Sequence, residues 1–199
     1  MLSADIKKDL QKFASKENAK NLSWFFKTGK GQYVHEYRLT ALLFLVYKFK
    51  KANVKEQKDL YNFYLKNTKY INNWDLVDLS SRDTVGEYLL KNPTEKSTLY
   101  KLAKSKNLWE KRIAIISTSA FIRENKFEET LKVSEILLND KHDLIHKAVG
   151  WMLREVGKRD LDIEEKFLKK YYRKMPRTML RYAIEKFSEN KRQFYLKKS

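Results

Sequence analysis

The sequence has no cysteine among its 199 residues, only two prolines and only five glycines. Without thiols the chain can form neither disulfides nor a thiolate metal site. With so few turn-forming residues it has little means of building hairpins, while Leu, Lys, Glu, Phe and Tyr recur at helical spacing. We therefore predict an all-α protein whose residues 1–199 form a single domain.

Long apolar runs are also missing. No uninterrupted apolar stretch reaches the length of a membrane span, and the start MLSADIKKDL lacks the apolar core of a signal peptide. We therefore expect a cytoplasmic protein without a membrane partner.

Negative charge is scarce relative to positive charge. The chain has 43 Lys and Arg residues against 25 Asp and Glu residues, so its net charge is +18 at pH 7. Solubility alone does not require an excess of this size, and a polyanion is the expected partner, nucleic acid first. On charge alone, an acidic membrane surface is the alternative.

Helical periodicity is clearest in EYRLTALLFLVYKFKKA, where apolar residues recur at spacings of three and four. Similar patterns predict single helices over residues 82–91, 110–125 and 177–188, among others. Short polar breaks such as KNPTEKS and NDKHD separate several of the helices, and no long linker divides the chain.

A repeat emerges when the basic residues of alternate helices are aligned. Arg112, Lys147 and Arg181 follow one another at intervals of 35 and 34 residues, and Arg38 lies two steps of 37 before Arg112. Counting 34 residues back from Arg112 reaches Asp78. A period in the middle thirties favours a HEAT-like repeat solenoid of antiparallel helix pairs with a concave basic face.

Asp78 is the one acidic member of this series, and it follows Trp74 by four residues in NNWDLVDLS. This spacing puts both side chains on one helix face. They could be structural, with Trp74 in the core and Asp78 in an ion pair. Alternatively, a carboxylate among phosphate-binding cations faces something positive, such as a cationic base or a sugar that becomes cationic during bond cleavage. Trp151, four residues after Lys147, supplies a second indole for such a cation.

Four stretches, NNWDLVDLS, LWEKRIAIISTSAFIR, HKAVGWMLREVGKRD and MPRTMLRYAIEKF, together resemble the AlkD-type DNA alkylation repair proteins. These are DNA glycosylases built from HEAT-like repeats. The resemblance runs from about His35 to the C-terminus, with WFFKTGKGQY upstream. It implies a monofunctional enzyme of base excision repair that hydrolyses the N-glycosidic bond of positively charged N3- and N7-alkylated purines in double-stranded DNA. We expect a nucleoid-associated monomer without a cofactor.

The resemblance also implies roles for individual residues. Asp78 matches the catalytic carboxylate of the W-x-x-x-D motif, Trp74 and Trp151 match the aromatic residues that pack against the lesion, and Arg112 matches a phosphate-binding arginine. Further candidates for contacts with the DNA backbone, each equally compatible with a solvated charge or an ion pair, are Arg38, Lys147, Arg154 and Arg181.

The chain departs from the family pattern before residue 35. Family members usually carry another helical segment between the K-x-G-x-G-x-Y and H-E-x-R motifs, whereas here GKGQYV runs straight into HEYRL. We therefore predict a shortened N-terminal part. The alternative functions are a non-catalytic HEAT-like DNA-binding or scaffold protein and an RNA-binding repeat protein.

A metal site is not expected. His142 and His146 have the spacing of a ligand pair on a helix, but the sequence lacks the glutamate of the zincin arrangement and has no cysteine.

Overall fold

The computed structural model describes residues 35–197, and the regular elements in this range are all helical. The α-helices are α1 (His35–Lys51), α2 (Val54–Lys66), α3 (Trp74–Ser80), α4 (Glu87–Lys91), α5 (Ser97–Ala103), α6 (Leu108–Ser117), α7 (Ser119–Arg123), α8 (Glu128–Ile136), α9 (Asp143–Arg159), α10 (Leu161–Tyr171), α11 (Arg177–Ala183) and α12 (Glu189–Leu196). Short 3-10 helices lie at Thr68–Tyr70, Pro93–Glu95 and Ile184–Lys186, and a π-helix at Arg82–Gly86. Among these helices, none combines the length and apolar character needed to span a bilayer.

The chain divides into two compact units between Tyr88 and Leu89, inside α4. In the first unit α1 packs on α3, and the π-helix contacts α1, α2 and α3. The rings of Tyr61 and Tyr88 stack in its core with centroids 4.0 Å apart. Each large apolar side chain buried in this way stabilises the fold by roughly 1.5–3 kcal/mol. The prediction of one domain for residues 1–199 stays a prediction.

The central element of the second unit is α9, which packs against α6, α10 and α11. Gly150 permits the close approach of α9 to α11. A Cβ atom at this position would lie 2.4 Å from the carbonyl oxygen of Met179 and 2.5 Å from the Cβ atom of Tyr182. Only glycine therefore fits this helix contact without displacing backbone.

Three predicted helices differ from the structure. The helix predicted over residues 110–125 is interrupted at Thr118, where the backbone N–H bonds to the carbonyl of Ile115, three residues back, at 3.1 Å. The Thr118 hydroxyl donates to the same carbonyl at 2.6 Å. The one predicted over residues 82–91 begins as the π-helix, in which the N–H of Gly86 reaches back to the carbonyl of Ser81 at 2.9 Å. The one predicted over residues 177–188 gives way to a 3-10 turn after Ala183.

The repeat alignment joins equivalent helix positions. Arg38 is the fourth residue of α1. The fifth residues of their helices are Asp78 in α3, Arg112 in α6, Lys147 in α9 and Arg181 in α11. The predicted shortened segment lies before residue 35, outside the described residues.

Candidate active site

The W-x-x-x-D motif occupies the first five residues of α3. Asn73 caps this helix, its side-chain oxygen accepting the N–H of Trp74 at 2.7 Å. Leu76 and Val77 are fully buried, so the helix is held by one apolar face. Trp74 lies off that face and is 53% exposed. The structural alternative of a core tryptophan is therefore wrong for Trp74.

Asp78, one turn after Trp74, is half-buried and lies near the hydroxyl of Tyr64. Burial raises the pKa of the Tyr64 phenol, and its hydrogen bond with Ser80 lowers that pKa in part. The charge of the Asp78 carboxylate raises the pKa further. The Ser80 hydroxyl donates a hydrogen bond to the carbonyl of Leu76 at 2.5 Å. Its oxygen therefore accepts a hydrogen bond from the Tyr64 hydroxyl, with 3.0 Å between the two oxygens. This buried chain of hydrogen bonds fixes α3 to α2 close to the carboxylate.

A second carboxylate on α3 makes a different contact. Asp75 lies 2.7 Å from the Nε2 atom of His35, at the start of α1. Arg38, also on α1, is 9% exposed; burial lowers the pKa of its guanidinium, and the charges of Asp75 and Glu36 oppose the shift. Arg38 is therefore an inward-packed cation beside acids, and its predicted phosphate contact stays a prediction.

In the second unit, a polar cluster surrounds Trp151 on α9. Trp151 is half-buried, and its indole N–H donates to Glu155 Oε1 at 3.2 Å. Lys158 Nζ donates to the same oxygen at 2.7 Å. Arg154 hydrogen-bonds to Glu185, and its Nε atom is 3.7 Å from Glu155 Oε1. The indole is therefore hydrogen-bonded to the carboxylate of Glu155, whose negative charge is balanced by two neighbouring cations, Lys158 and Arg154.

The other predicted phosphate contacts of this unit differ in their exposure. Arg112 is 5% exposed and donates to the carbonyl of Leu144 at 2.6 Å, which joins α6 to the first turn of α9. Lys147 is paired with Asp143 at 2.7 Å, and this hydrogen bond raises the pKa of the lysine. Arg181 is exposed and forms no ion pair with an acid of residues 35–197.

The profile of the family described as "DNA alkylation repair enzyme" matches residues 29–187. The chain belongs to this family. A solved structure of a predicted DNA alkylation repair enzyme from Enterococcus faecalis superposes with a TM-score of 0.67 at 18% sequence identity, covering 92% of this chain and 83% of that chain. At this identity the likeness shows the fold alone, and it confirms the predicted all-α repeat fold. The predicted family is confirmed by the profile match. No curated protein matches the chain.

The two histidines that have the spacing of a ligand pair both make structural contacts in this DNA alkylation repair family member. His142 caps α9, its Nδ1 atom accepting the N–H of Leu144 at 3.2 Å. His146 Nε2 lies 2.6 Å from the carbonyl oxygen of Asp140. Within residues 35–197 no group of three or more potential ligands is placed to hold a metal ion.

Two notable acids of this family member escaped the sequence analysis. Glu155 stands four residues after Trp151, the same spacing that separates Trp74 from Asp78, and this repeated W-x-x-x-acid pattern could have identified it. Glu164 on α10 is 1% exposed, and burial raises its pKa to about 8. No sequence signal marks Glu164, because an acid near a helix N-terminus is ordinarily solvated.

Proposed function

We propose that this member of the DNA alkylation repair enzyme family is a monofunctional DNA glycosylase that excises positively charged N3- and N7-alkylated purines. The observation that carries the proposal is the pairing, within the seven-residue helix α3, of an exposed indole with a half-buried carboxylate one turn away. In a chain of net charge +18, a carboxylate at a DNA surface would repel phosphate unless it met a positive group.

The chemistry requires little beyond that carboxylate. The alkylated purine is already cationic, so it leaves as a neutral base when the bond from C1′ to the ring nitrogen breaks. Positive charge then develops on the deoxyribose, and the fixed Asp78 carboxylate stabilises it electrostatically. A water adds to C1′ and releases its proton. No lysine nucleophile is required, because the charged purine is an activated leaving group.

The tryptophans serve as surfaces for the cation in this proposal. An indole face attracts a cation by roughly 0.5–2 kcal/mol, depending on desolvation. Trp74 is exposed enough to pack against a lesion as it stands, and Trp151 presents a half-buried ring held by Glu155.

Contacts with DNA phosphates are proposed for five cations. Arg181 is the best supported of them, since it is exposed and has no acidic partner among residues 35–197. Lys147 and Arg154 would have to exchange an acid of this chain for a phosphate. The remaining two, which are buried, are Arg38 and Arg112.

The test compares the release of N7-methylguanine and N3-methyladenine from methylated duplex DNA by the wild type and by Asp78→Asn. Loss of a preorganised electrostatic group costs about 10²–10³-fold in rate, and we expect a loss of that size. DNA binding should be kept or strengthened, because a charge that repels phosphate has been removed. Asp75→Asn is the matched control on the same helix, and its rate should stay within a few-fold of the wild type.

Three results would contradict the proposal or a part of it. A folded wild type that binds DNA but releases no methylated purine would leave the non-catalytic DNA-binding or scaffold function. A preference for tRNA over methylated DNA in competition would favour the RNA-binding alternative. Equal losses in Asp78→Asn and Asp75→Asn would show that α3 is merely sensitive to substitution and would refute the role of Asp78.

A further inference from the structure

We propose that Glu155 is a positioning residue for the reaction: it orients the Trp151 indole and makes the ring face more attractive to a cation. The inference rests on the proposed function. It starts from the hydrogen bond of 3.2 Å between the indole Nε1 atom and Glu155 Oε1. Because the two residues are four apart on α9, the acid reaches the ring from the next helical turn.

The first consequence is geometric. A tryptophan ring can turn about two side-chain bonds, and a fixed acceptor at its N–H edge selects one orientation. Glu155 is itself fixed, since Lys158 donates to the same oxygen at 2.7 Å and Arg154 Nε lies 3.7 Å away. The helix beneath is fixed as well, because Gly150 brings α9 into close contact with α11.

The second consequence is electronic. An aromatic ring has a negative face and a positive edge, and the N–H group lies at that edge. An anion that accepts a hydrogen bond from the indole N–H shifts electron density into the ring, because hydrogen-bonded groups polarise one another. The ring face thereby becomes more negative and attracts a cation more strongly.

The surrounding cations make this acid compatible with DNA. A bare carboxylate would repel the phosphate backbone, but Lys158 and Arg154 balance the charge of Glu155. The same two cations would suffice for a simple surface ion-pair cluster, in which the contact with Trp151 has no consequence. The experiment therefore has to separate the effect of Glu155 on Trp151 from its effect on Arg154.

The probes are two DNA duplexes with abasic-site analogues at one position. One carries a pyrrolidine analogue, which is cationic at pH 7, and the other a neutral tetrahydrofuran analogue. We expect Glu155→Gln to reduce the preference for the cationic duplex about tenfold, because glutamine can accept the indole hydrogen bond but carries no charge. Glu185→Gln is the matched control, since it removes the carboxylate that pairs with Arg154, whereas the Trp151 N–H donates to Glu155. It should retain the wild-type preference.

A double-mutant cycle with Trp151→Phe completes the test. If Glu155 acts through the indole, Glu155→Gln changes the preference in the wild type and changes nothing in the Trp151→Phe background. An equal change in both backgrounds, or an unchanged preference in Glu155→Gln itself, would overturn the inference. Failure of the proposed function is distinguished separately, by the absence of purine release from the wild type. Circular dichroism of each variant checks that the helices are intact.

Discussion

Glu164 offers the most quantitative test of the structure. Its carboxyl group lies on α10 against Gly157 of α9, so closely that a Cβ atom on Gly157 would lie 1.6 Å from Oε2. The residue is 1% exposed, and its buried Oε1 atom has no hydrogen-bond partner in residues 35–197. Burial raises the pKa of this carboxyl to about 8; the nearby charge of Glu165 adds to the increase and that of Arg154 opposes it. The folded protein therefore holds Glu164 protonated at neutral pH.

The stability cost follows from linkage between protonation and folding. In the unfolded chain the carboxyl titrates near 4.5, whereas in the folded protein it titrates near 8. Below pH 4.5 both states are protonated and nothing is lost. Between these two values only the folded state holds the proton, so the free energy of unfolding falls by about 1.4 kcal/mol for each pH unit. The total loss by pH 8 is on the order of 4 kcal/mol.

The perturbation is Glu164→Gln, which keeps the shape of the side chain and removes its titration. We expect the free energy of unfolding of this variant, relative to the wild type, to increase by about 4 kcal/mol between pH 5 and pH 8.5. Urea unfolding at the two pH values measures the difference. The control is Glu135→Gln, since the Glu135 side chain is 56% exposed and should show no such change. A stability difference between Glu164→Gln and wild type that is independent of pH would refute the reasoning.

One further substitution in each unit tests its packing. Gly150→Ala would place a methyl group 2.4 Å from the Met179 carbonyl oxygen. We expect the free energy of unfolding to fall by about 1–3 kcal/mol, which thermal unfolding would show as a lower Tm. An unchanged Tm would contradict the close contact of α9 with α11. Asp83→Asn weakens contacts to Arg82 at 2.6 Å and Lys50 at 2.7 Å, and should cost about 1–2 kcal/mol at pH 7. Burial raises the pKa of Asp83, but these two cations outweigh it and hold the pKa below 3.8, so this stability is lost as the pH falls through the lowered value. Urea unfolding should show the stability difference between wild type and variant shrinking as the pH falls below 3.8, and a difference that does not change with pH would count against the ion pairs.

The sequence predicted the fold class well because helical periodicity depends on local spacing. It located the helices and even the equivalent position one turn into each, as Asp78, Arg112 and Lys147 show. It missed the interruptions, because they depend on single hydrogen bonds. At the break, both the hydroxyl and the backbone N–H of Thr118 bond to the carbonyl of Ile115, three residues back, and periodicity carries no sign of this local geometry.

The candidate site was only partly predictable for a related reason. The W-x-x-x-D spacing located Asp78 and Trp74 together on α3, because four residues make one helical turn. Burial depends on neighbours distant in sequence, so the spacing could not show that Arg112 bonds to a backbone carbonyl 32 residues away. For the same reason Glu164 could not be distinguished from a solvated acid before its packing against Gly157 was known.

The π-helix at Arg82–Gly86 has a consequence for comparing this chain with its relatives. A π-turn is a helix that has accepted one extra residue without opening into a loop. A relative without that residue would run as a regular α-helix through the same region and would still present the W-x-x-x-D motif one turn earlier. An alignment of the two should therefore place a one-residue gap inside a helix, just after Ser81, rather than in the adjoining loops. Length variation in such repeats then becomes a matter of helical winding as well as of loop size.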